Sequence, residues 1–492
     1  MSRSLTLYIL IFVSFGSLVW LVLDRGSKLA AGTKTPALVA DAGSMASGNE
    51  AITTVASESV LLILLKNFSQ NTSHPLSRLL LQIAVILLTS RLLAFFASKI
   101  GQPRVIGEIV AGIILGPSLL GLFWPGISNF LFPTDSLPGI EILSQFGLIL
   151  FMFIIGLELD VHLLKHNIHA ALVVSQGSII LPFFGGITLA YFLYGNLAPS
   201  NISFLGFGLF MGIAMSITAF PVLARILQER GLTQSSLGVL ALTSAAAGDV
   251  TAWCILAIVV AIVQAGTLMS ALPTIFLSVL YVFIMLRLVR PLLQRMAARF
   301  QSAENFSQTF SLSAFVILFL SAFTTELIGI HALFGAFLAG VVMPDQFDFR
   351  KMMAAKIENV SLVILLPLFF TFTGLKTHIG LLNESAAWWV CGLIILVAVV
   401  GKAGGSVAAA RLTGQSWWDS LTIGALMNTR GLMEFVVLSI GYDLGVLSPT
   451  VFTMLVLMAL VTTFMTSPML SAIQYLKRRR EPTGVYAVSG GM

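Results

Sequence analysis

Long, nearly uninterrupted runs of apolar residues set the pattern of this chain from Pro75 onward. Each run is close to the roughly 20 residues with which a helix crosses about 30 Å of hydrocarbon. The runs lack the two-residue alternation of a membrane β-strand, and a backbone in lipid must satisfy its own hydrogen bonds, so they predict helices. The predicted spans number thirteen, of which the ninth is short for a full crossing: 75–100, 103–121, 139–158, 168–194, 203–227, 236–264, 271–298, 308–328, 330–343, 358–379, 387–411, 419–441 and 449–474.

The composition agrees with a membrane protein. Of the 492 residues, 57% are apolar and 10% are charged, whereas about a quarter of a soluble domain is charged. The mean hydropathy is +0.97. The two cysteines, Cys254 and Cys391, lie in apolar spans and are interpreted as small core residues, with no disulfide and no metal site. We therefore predict an all-α polytopic membrane protein without a cofactor.

The chain is predicted to have four segments. They are an N-terminal transmembrane helix or signal-like segment at 1–29, a flexible extracytoplasmic linker at 30–74, a transmembrane domain at 75–475 and a short cytoplasmic tail at 476–492. The first segment is either a retained helix or a cleaved signal peptide. We favour the retained helix, because the sequence DRGSK at 24–28 is a poor cleavage region.

Basic residues alternate between the links that join the predicted spans. The links after even-numbered spans carry almost none, with Lys376 as the exception. Such alternation places the basic links and the C-terminus in the cytoplasm. Because these charges lie at helix ends and not on one face, we reject a nucleic-acid partner for this chain of net charge +6. The basic residues of the odd-side links are Lys99, Arg104, Lys165, Arg225, Arg230, Arg290, Arg295, Arg299, Arg350, Lys351, Lys356, Arg411 and Lys477 to Arg480.

Three charged side chains fall near the middle of predicted spans. Asp249 lies in SAAAGDVTAW, Lys402 in VGKAGG and Arg430 in MNTRGLME. A charge at the centre of a bilayer costs at least about 2.5–3.5 kcal/mol, so such residues are usually functional. The alternative is that the three charges only pair with one another. That alternative does not explain the small residues beside each charge, which leave room for an ion or for water.

Two of the predicted spans carry helix-breaking sequences. Pro221 lies within 203–227, where it removes one amide and frees backbone groups near Thr218. A simple kink is the alternative for a single proline. The span 419–441 has its own interruption at Asn428-Thr429-Arg430-Gly431. Discontinuous helices in corresponding halves indicate a transporter's binding site, and the offset of seven spans reverses the orientation, as an inverted repeat requires.

The predicted crossing suggests an exchange chemistry. Half-helices direct partial charges at their broken ends, and Asp249 and Arg430 are placed to balance them. The Asp249 carboxylate could bind a cation through its oxygens, or a proton in its place. Competition between the two for one carboxylate is the core of exchange, so Asp249 is also the predicted site of the transported metal ion. Lys402 could titrate or simply pair with Asp249.

Seven stretches, taken in order, carry a family resemblance. They are QPRVIGEIVAGIILGP (102–117), IIGLELD (154–160), TAFPVLAR (218–225), GDVTAW (248–253), HALFGAFLAG (331–340), LPLFFTFTGLK (366–376) and GALMNTRGLME (424–434). The resemblance extends from about residue 75 to residue 475. In this series the chain resembles the second branch of the cation:proton antiporter superfamily, particularly the plant cation/H⁺ exchangers and their microbial relatives.

The resemblance implies a fold and a set of site residues. The fold is a thirteen-helix inverted repeat with two crossed discontinuous helices, in which a core domain moves against a dimerisation domain in a homodimer. Elevator-like alternating access is implied too. By motif position, Asp249 matches the cation- and proton-binding aspartate, Thr218 the threonine of the unwound helix, and Lys402 and Arg430 the basic residues of the eleventh and twelfth helices. The backbone of the two breaks would comprise Ala219, Pro221, Asn428 and Thr429.

One departure from the family pattern bears on stoichiometry. The family usually carries Asp, Asn or Gln immediately before the aspartate, and this chain has Gly248. A second carboxylate or a supporting amide is therefore missing. With one carboxylate we expect electroneutral, one-for-one exchange.

Other polar residues have smaller expected roles. Glu158 and Asp160 end the third span, where they are solvated or line an entrance funnel that concentrates cations. Glu434 lies one turn beyond Arg430 and is expected to pair with it. Glu326 and His331 are expected to form a hydrogen-bonded pair, and Glu108 has no assigned role beyond packing or a hinge.

The sequence thus predicts a secondary antiporter that exchanges K⁺ or Na⁺ for H⁺ across a cell (inner) membrane, with the C-terminus in the cytoplasm. Its partners would be these ions, the lipid bilayer and a second copy of the chain. Two alternatives remain: a channel-like K⁺ efflux protein, and a sensor or anion carrier on the same scaffold. An enzyme is not expected, because the sequence contains no phosphate loop, nucleophile elbow or HExxH motif.

Overall fold

The computed structural model describes residues 74–158, 168–230, 232, 235–299 and 303–480. Within these ranges the chain is almost entirely helical and contains no β-strand. The helix or signal segment predicted at 1–29, nearly all of the linker at 30–74, Asp160 and residues 481–492 of the tail lie outside the described residues.

Nineteen α-helices follow one another in the described residues. Two pairs, α10 with α11 and α14 with α15, are continuous through single π-helical turns at Met285–Val289 and Ser361–Leu365. Short 3₁₀ turns lie at Thr134–Ser136, Gln346–Asp348 and Ile379–Leu381. The helices are α1 (Pro75–Lys99), α2 (Arg104–Leu115), α3 (Leu120–Phe123), α4 (Pro125–Leu131), α5 (Leu137–Glu158), α6 (Ile168–Leu197), α7 (Phe204–Ser216), α8 (Phe220–Glu229), α9 (Ser236–Ala265), α10 (Leu268–Ile284), α11 (Arg290–Ala297), α12 (Ala303–Ile328), α13 (Ala332–Val342), α14 (Phe349–Val360), α15 (Leu366–Leu375), α16 (Ser385–Leu412), α17 (Trp417–Met427), α18 (Leu432–Asp443) and α19 (Pro449–Arg480).

The predicted helical membrane fold is confirmed. Each of the thirteen predicted spans coincides with a helix or with a pair of consecutive helices. Among the described residues, ten helical stretches are long and apolar enough to cross a membrane, and α7 and α13 are apolar but shorter. The count of thirteen crossings stays a prediction.

Sequence signals at its two ends fix the position of α9, the helix that carries Asp249. The Ser235 hydroxyl caps the first turn by accepting a hydrogen bond of 3.0 Å from the amide of Gly238. At the other end Gly266 has φ of +76°, a left-handed conformation in which glycine terminates a helix without strain. These caps hold the 30 residues of α9 in one continuous helix.

The helices pack into two bundles. We call α6–α9 with α16–α19 bundle one, and α1, α2, α5 and α12–α15 bundle two. Helix α10 packs against α9 of bundle one and against α12 of bundle two, and so connects them. Both broken stretches, α7 with α8 and α17 with α18, belong to bundle one.

Glycine pairs bring helices of bundle two into backbone contact. A Cβ on Gly112 of α2 would lie 2.1 Å from the Thr371 carbonyl oxygen, and one on Gly374 of α15 would lie 2.5 Å from that of Ile109. Small residues allow such close crossings, which are the usual means of helix association in membranes.

We therefore expect Gly112→Ala to destabilise the protein. The added methyl group meets main-chain atoms that cannot rotate away, so the expected loss is about 1–3 kcal/mol. Gly392→Ala in α16 is the matched control, because its Cβ would meet nothing within 4 Å. The measurement is thermal unfolding of the purified proteins in detergent, followed by tryptophan emission. Equal unfolding temperatures for the two variants would contradict the close crossing.

Candidate functional site

The two helix breaks lie against each other in bundle one. Helix α7 ends at Ser216 and α8 begins at Phe220, while α17 ends at Met427 and α18 begins at Leu432. Across the gap one backbone hydrogen bond, from the Ala219 amide to the Thr429 carbonyl, joins the two breaks. Both interruptions thus lie where the sequence predicts them.

Direct contacts hold the crossing together. The Ala219 amide donates to the Thr429 carbonyl at 3.1 Å, and the Thr218 hydroxyl donates to the Met427 carbonyl at 3.5 Å. A Cβ on Gly431 would lie only 2.8 Å from the Cγ2 of Val222. Glycine at this position lets the second break approach α8 closely.

Proline shapes the first break from an unexpected position. Pro221 is the second residue of α8, in its first turn, and not in the middle of a helix as the uninterrupted span would place it. A first-turn proline costs no hydrogen bond, since that amide has no partner within its own helix. It also keeps α8 from extending backwards into α7, so residues 217–219 stay extended or irregular.

Two buried cations satisfy the open carbonyl end of α7. Arg430 donates from Nη1 to the Ala214 carbonyl at 3.1 Å and from Nη2 to the Met215 carbonyl at 2.7 Å. Lys402 donates from Nζ to the next carbonyl, that of Ser216, and lies 3.4 Å from the carbonyl of Ser178. Both side chains are fully buried. The last carbonyls of a helix have no partner within it and carry its negative dipole end, which suits cations.

The predicted pairing of Glu434 with Arg430 is confirmed. Glu434 Oε1 lies 3.0 Å from Arg430 Nη1, and neither side chain is exposed. The second carboxylate oxygen, Oε2, has no hydrogen-bond partner, and neither has Arg430 Nε. Arg430 is therefore held by one carboxylate and two main-chain carbonyls at once.

Asp249 lies in the middle of α9, and neither Lys402 nor Arg430 bonds to it directly. Its side chain is 9% exposed, and its buried Oδ1 has no hydrogen-bond partner. Lys402 and Asp249 are both described, and no ion pair within 4.0 Å joins them. Of the two alternatives for Lys402, direct pairing with Asp249 is wrong for this structure, because the α7 carbonyl end attracts the ammonium group. Helix α9 packs against α7, α8 and α17, so it runs beside both breaks.

Similarity to known proteins agrees with this architecture. Residues 83–473 match the model of the transmembrane sodium/hydrogen exchanger family. The chain belongs to that family. The resemblance to cation:proton antiporters found in the sequence is thereby confirmed.

Curated relatives include antiporters from bacteria, plants and fungi. The chain is 41% identical over 402 residues to the Na⁺/H⁺ antiporter NhaS4 of Synechocystis sp., covering 82% of this chain and 98% of that one. It is 41% identical to cation/H⁺ antiporter 17 of Arabidopsis thaliana and 35% identical to K⁺/H⁺ antiporter 1 of Saccharomyces cerevisiae. These two matches cover 81% and 82% of this chain, but only 49% and 47% of the relatives. The chain thus spans about half the length of the plant and yeast relatives.

A solved structure shares the fold. The sodium proton antiporter MjNhaP1 of Methanocaldococcus jannaschii superposes with a TM-score of 0.58 at 15% sequence identity. The match covers 82% of this chain and 97% of that one. At this identity the likeness concerns the arrangement of helices.

A hydroxyl group lies next to Gly248, the position at which the resemblance would place a second polar residue. A Cβ on Gly248 would lie 3.2 Å from Ser175 Oγ of α6. Ser175 is fully buried, and its hydroxyl has no hydrogen-bond partner. Ser175 gave no signal in the sequence, because a single serine in an apolar span is not distinctive.

The second break contains further unpartnered polar atoms. Both amide atoms of Asn428 are buried without a hydrogen bond. Thr429 Oγ1 lies 3.5 Å from Thr466 Oγ1, and the Thr463 hydroxyl donates to the Arg430 carbonyl at 2.9 Å. Unpaired buried polar atoms are rare and call for a ligand, water or an ion. Sequence reasoning missed both threonines of α19, which hold the break in place.

The structure leaves other predicted residues away from this cluster. Glu158 is exposed at the end of α5 in bundle two, so an entrance-funnel role stays a prediction.

The expected hydrogen bond between Glu326 and His331 is wrong, because Glu326 accepts instead from the amide of Ala332 at 2.7 Å and caps α13. His331 Nδ1 has no partner. Glu108 contributes a carbonyl to the Thr371 hydroxyl at 3.3 Å.

The buried pair generates a stability prediction. Arg430→Met should cost about 3–5 kcal/mol, because it strands a buried carboxylate and leaves the α7 carbonyls without donors. Adding Glu434→Gln should recover part of that loss, since a neutral amide replaces the stranded charge. The measurement is thermal unfolding in detergent.

Lys351→Met is the control for this series. Lys351 forms an exposed pair with Asp348 at 3.2 Å on one turn of helix, and such pairs contribute at most about 1 kcal/mol. If Arg430→Met unfolded at the same temperature as Lys351→Met, Arg430 would not support the break.

Proposed function

We propose that the protein is a secondary antiporter that exchanges a monovalent cation, K⁺ or Na⁺, for H⁺ by alternating access. Asp249 would carry either ion. The observation that supports this most is a buried carboxylate oxygen without a partner, on a helix that runs beside two crossed breaks. In a dry setting such an oxygen gains most from binding a proton or a metal ion.

The cations of the site leave Asp249 free to react. Lys402 and Arg430 are engaged by the carbonyls of α7, and Arg430 also by Glu434. If either cation were bonded to Asp249, the pair would compete with the transported ion. The carboxylate is instead stabilised by their field at a distance, without a direct bond that substrate must break.

Further oxygen atoms would complete a cation site around Asp249. Thr218 Oγ1 lies at the first break, held only by a long contact of 3.5 Å to the Met427 carbonyl. Asn428 Oδ1 at the second break has no partner. Monovalent cations bind through several oxygen ligands, whose number and field strength set the choice between K⁺ and Na⁺.

The two-bundle packing supports alternating access. We propose that bundle one, which contains both breaks and Asp249, moves against bundle two, and that bundle two forms the contact between copies of a homodimer. The protein would reside in a cell membrane with its basic links and C-terminus in the cytoplasm.

The anion-carrier alternative loses its main support. An anion would need Arg430 as a free cation at the break. Both terminal nitrogens of Arg430 already donate to protein oxygens, at 2.7–3.1 Å. The family itself is one of transporters, and we propose no enzymatic reaction.

Asp249→Asn is expected to abolish cation-dependent proton movement while leaving insertion and folding intact. The amide keeps the size of the side chain but can no longer exchange a proton for a cation. The measurement uses inverted vesicles with an internal pH dye, to which KCl, NaCl or choline chloride is added. An equal response to all three salts would indicate chloride transport instead.

Asp348→Asn is the control for that experiment. Asp348 is an exposed aspartate with φ of +53°, a conformation that asparagine tolerates. It should exchange ions at the rate of the unaltered protein. Full activity of Asp249→Asn would remove Asp249 from the mechanism.

We also expect the exchange to be electroneutral. One carboxylate carries one cation in one direction and one proton in the other, so no net charge crosses the membrane in a cycle. In proteoliposomes the rate should therefore not respond to a K⁺-diffusion potential imposed with valinomycin when Na⁺ is the substrate. A rate that follows the imposed voltage would refute one-for-one exchange.

A further inference from the structure

Lys376 joins the two bundles through one ammonium group. It follows the last residue of α15 in bundle two. Its Nζ lies 2.8 Å from Glu141 Oε1 of α5, in the same bundle, and 2.9 Å from Asp443 Oδ1 of α18, in bundle one. The ammonium group also lies over two aromatic rings, 4.5 Å from the centre of Phe372 and 5.1 Å from that of Tyr442. One ring belongs to each bundle.

A second polar contact joins the bundles close by. The amide of His378, two residues beyond Lys376, donates to the Thr453 hydroxyl of α19 at 3.1 Å. On the sequence-based orientation, Lys376 lies on the extracytoplasmic side, where it was the exception to the charge rule. The carboxylates of Glu141 and Asp443, which both pair with Lys376, explain why a basic residue lies on this side.

The contact lies in a small cavity between the bundles. The cavity is lined by the polar side chains of Glu141, Ser144 and Gln145 from bundle two and of Ser439 and Asp443 from bundle one, together with apolar side chains of both bundles, among them Leu148 and Ile440. Lys376 is part of this lining. Polar side chains of both bundles thus meet in this cavity beside Lys376, where water can hydrate them.

We propose that Lys376 is a positioning residue of the transport cycle. By holding Asp443 it ties bundle one to bundle two at this end, and the contact must open when the bundles move relative to each other. This inference rests on the proposed exchange by alternating access.

The chemistry of the contact allows repeated opening. When Asp443 departs, Lys376 keeps Glu141 as a partner, so the lysine is not left as an unpaired charge. The Asp443 side chain is 33% exposed and can be hydrated once released. Stranding a buried charge is what makes buried ion pairs costly to break, and this arrangement avoids it.

The first test follows the accessibility of the cavity. In a background with Cys254→Ala and Cys391→Ala, a reporter Ser439→Cys is labelled with a membrane-impermeant maleimide, in right-side-out cells and in inverted vesicles. Adding Asp443→Asn should raise the labelling rate about three- to tenfold from the Lys376 side, the range expected for losing one partly exposed ion pair. Glu141→Gln is the matched control, because Glu141 binds the same lysine within its own bundle, and it should change the rate less than about twofold.

The second test closes the contact covalently. Lys376→Cys with Asp443→Cys, joined by a short bis(methanethiosulfonate) cross-linker that forms a disulfide with each thiol and releases methanesulfinate, should stop exchange until a reductant cleaves the disulfides. Glu141→Cys with Lys376→Cys is the control, because it joins two parts of bundle two. The exchange rate of this variant should be the same with and without the cross-linker. A cross-linked Lys376–Asp443 pair that exchanges ions as fast as before would overturn the proposal, as would equal labelling of Asp443→Asn and Glu141→Gln.

These outcomes separate the tie from the proposed function. If the cysteine-free parent showed no cation-dependent proton movement, exchange itself would be refuted. A labelling rate that still rose with Asp443→Asn would then support the tie between the bundles on its own.

Discussion

The open carbonyl end of α7 is the constraint on which the rest of the site depends. A helix that stops inside a membrane leaves carbonyls that water cannot satisfy, at a cost of several kcal/mol. Lys402 on α16 and Arg430 in the second break donate hydrogen bonds to these carbonyls. The open carbonyls and the buried cations depend on each other, because the cations would also be costly to bury without the carbonyls as acceptors.

On the proposed mechanism, the charges around the same carbonyl end let Asp249 serve two ions. Lys402 and Arg430 are balanced formally by Glu434 and Asp249. When Asp249 takes up either a proton or a monovalent cation, the site gains the same single positive charge. On that mechanism both loaded forms meet the same electrostatic barrier during movement, so the membrane field favours neither ion. A second carboxylate at position 248 would remove this equivalence, and Gly248 preserves it.

The positions of the main charges and of the helix breaks could be predicted from the sequence, but the hydrogen-bond partners of those charges could not. The depth of Asp249 in its span, the break near Thr218 and the turn-spaced pair of Arg430 and Glu434 all follow from residue order along one helix. Which atom faces Lys402 depends on how α16 packs against α6 and α7, and spacing within one helix contains no such information. Ser175 and Thr463 were missed for the same reason.

The contacts within and between the bundles differ in kind, and this difference bears on how the protein moves. Within bundle two, Gly112 with Gly374 and Gly156 with Gly340 bring backbones together so closely that a methyl group would collide with main-chain atoms. Such crossings fix helices as one body, because close-packed interfaces do not slide continuously. Between the bundles, Lys376 and His378 make polar contacts that water can replace one at a time. A rigid interior, next to a boundary that includes polar contacts which water can replace, is what the proposed movement of the two bundles requires.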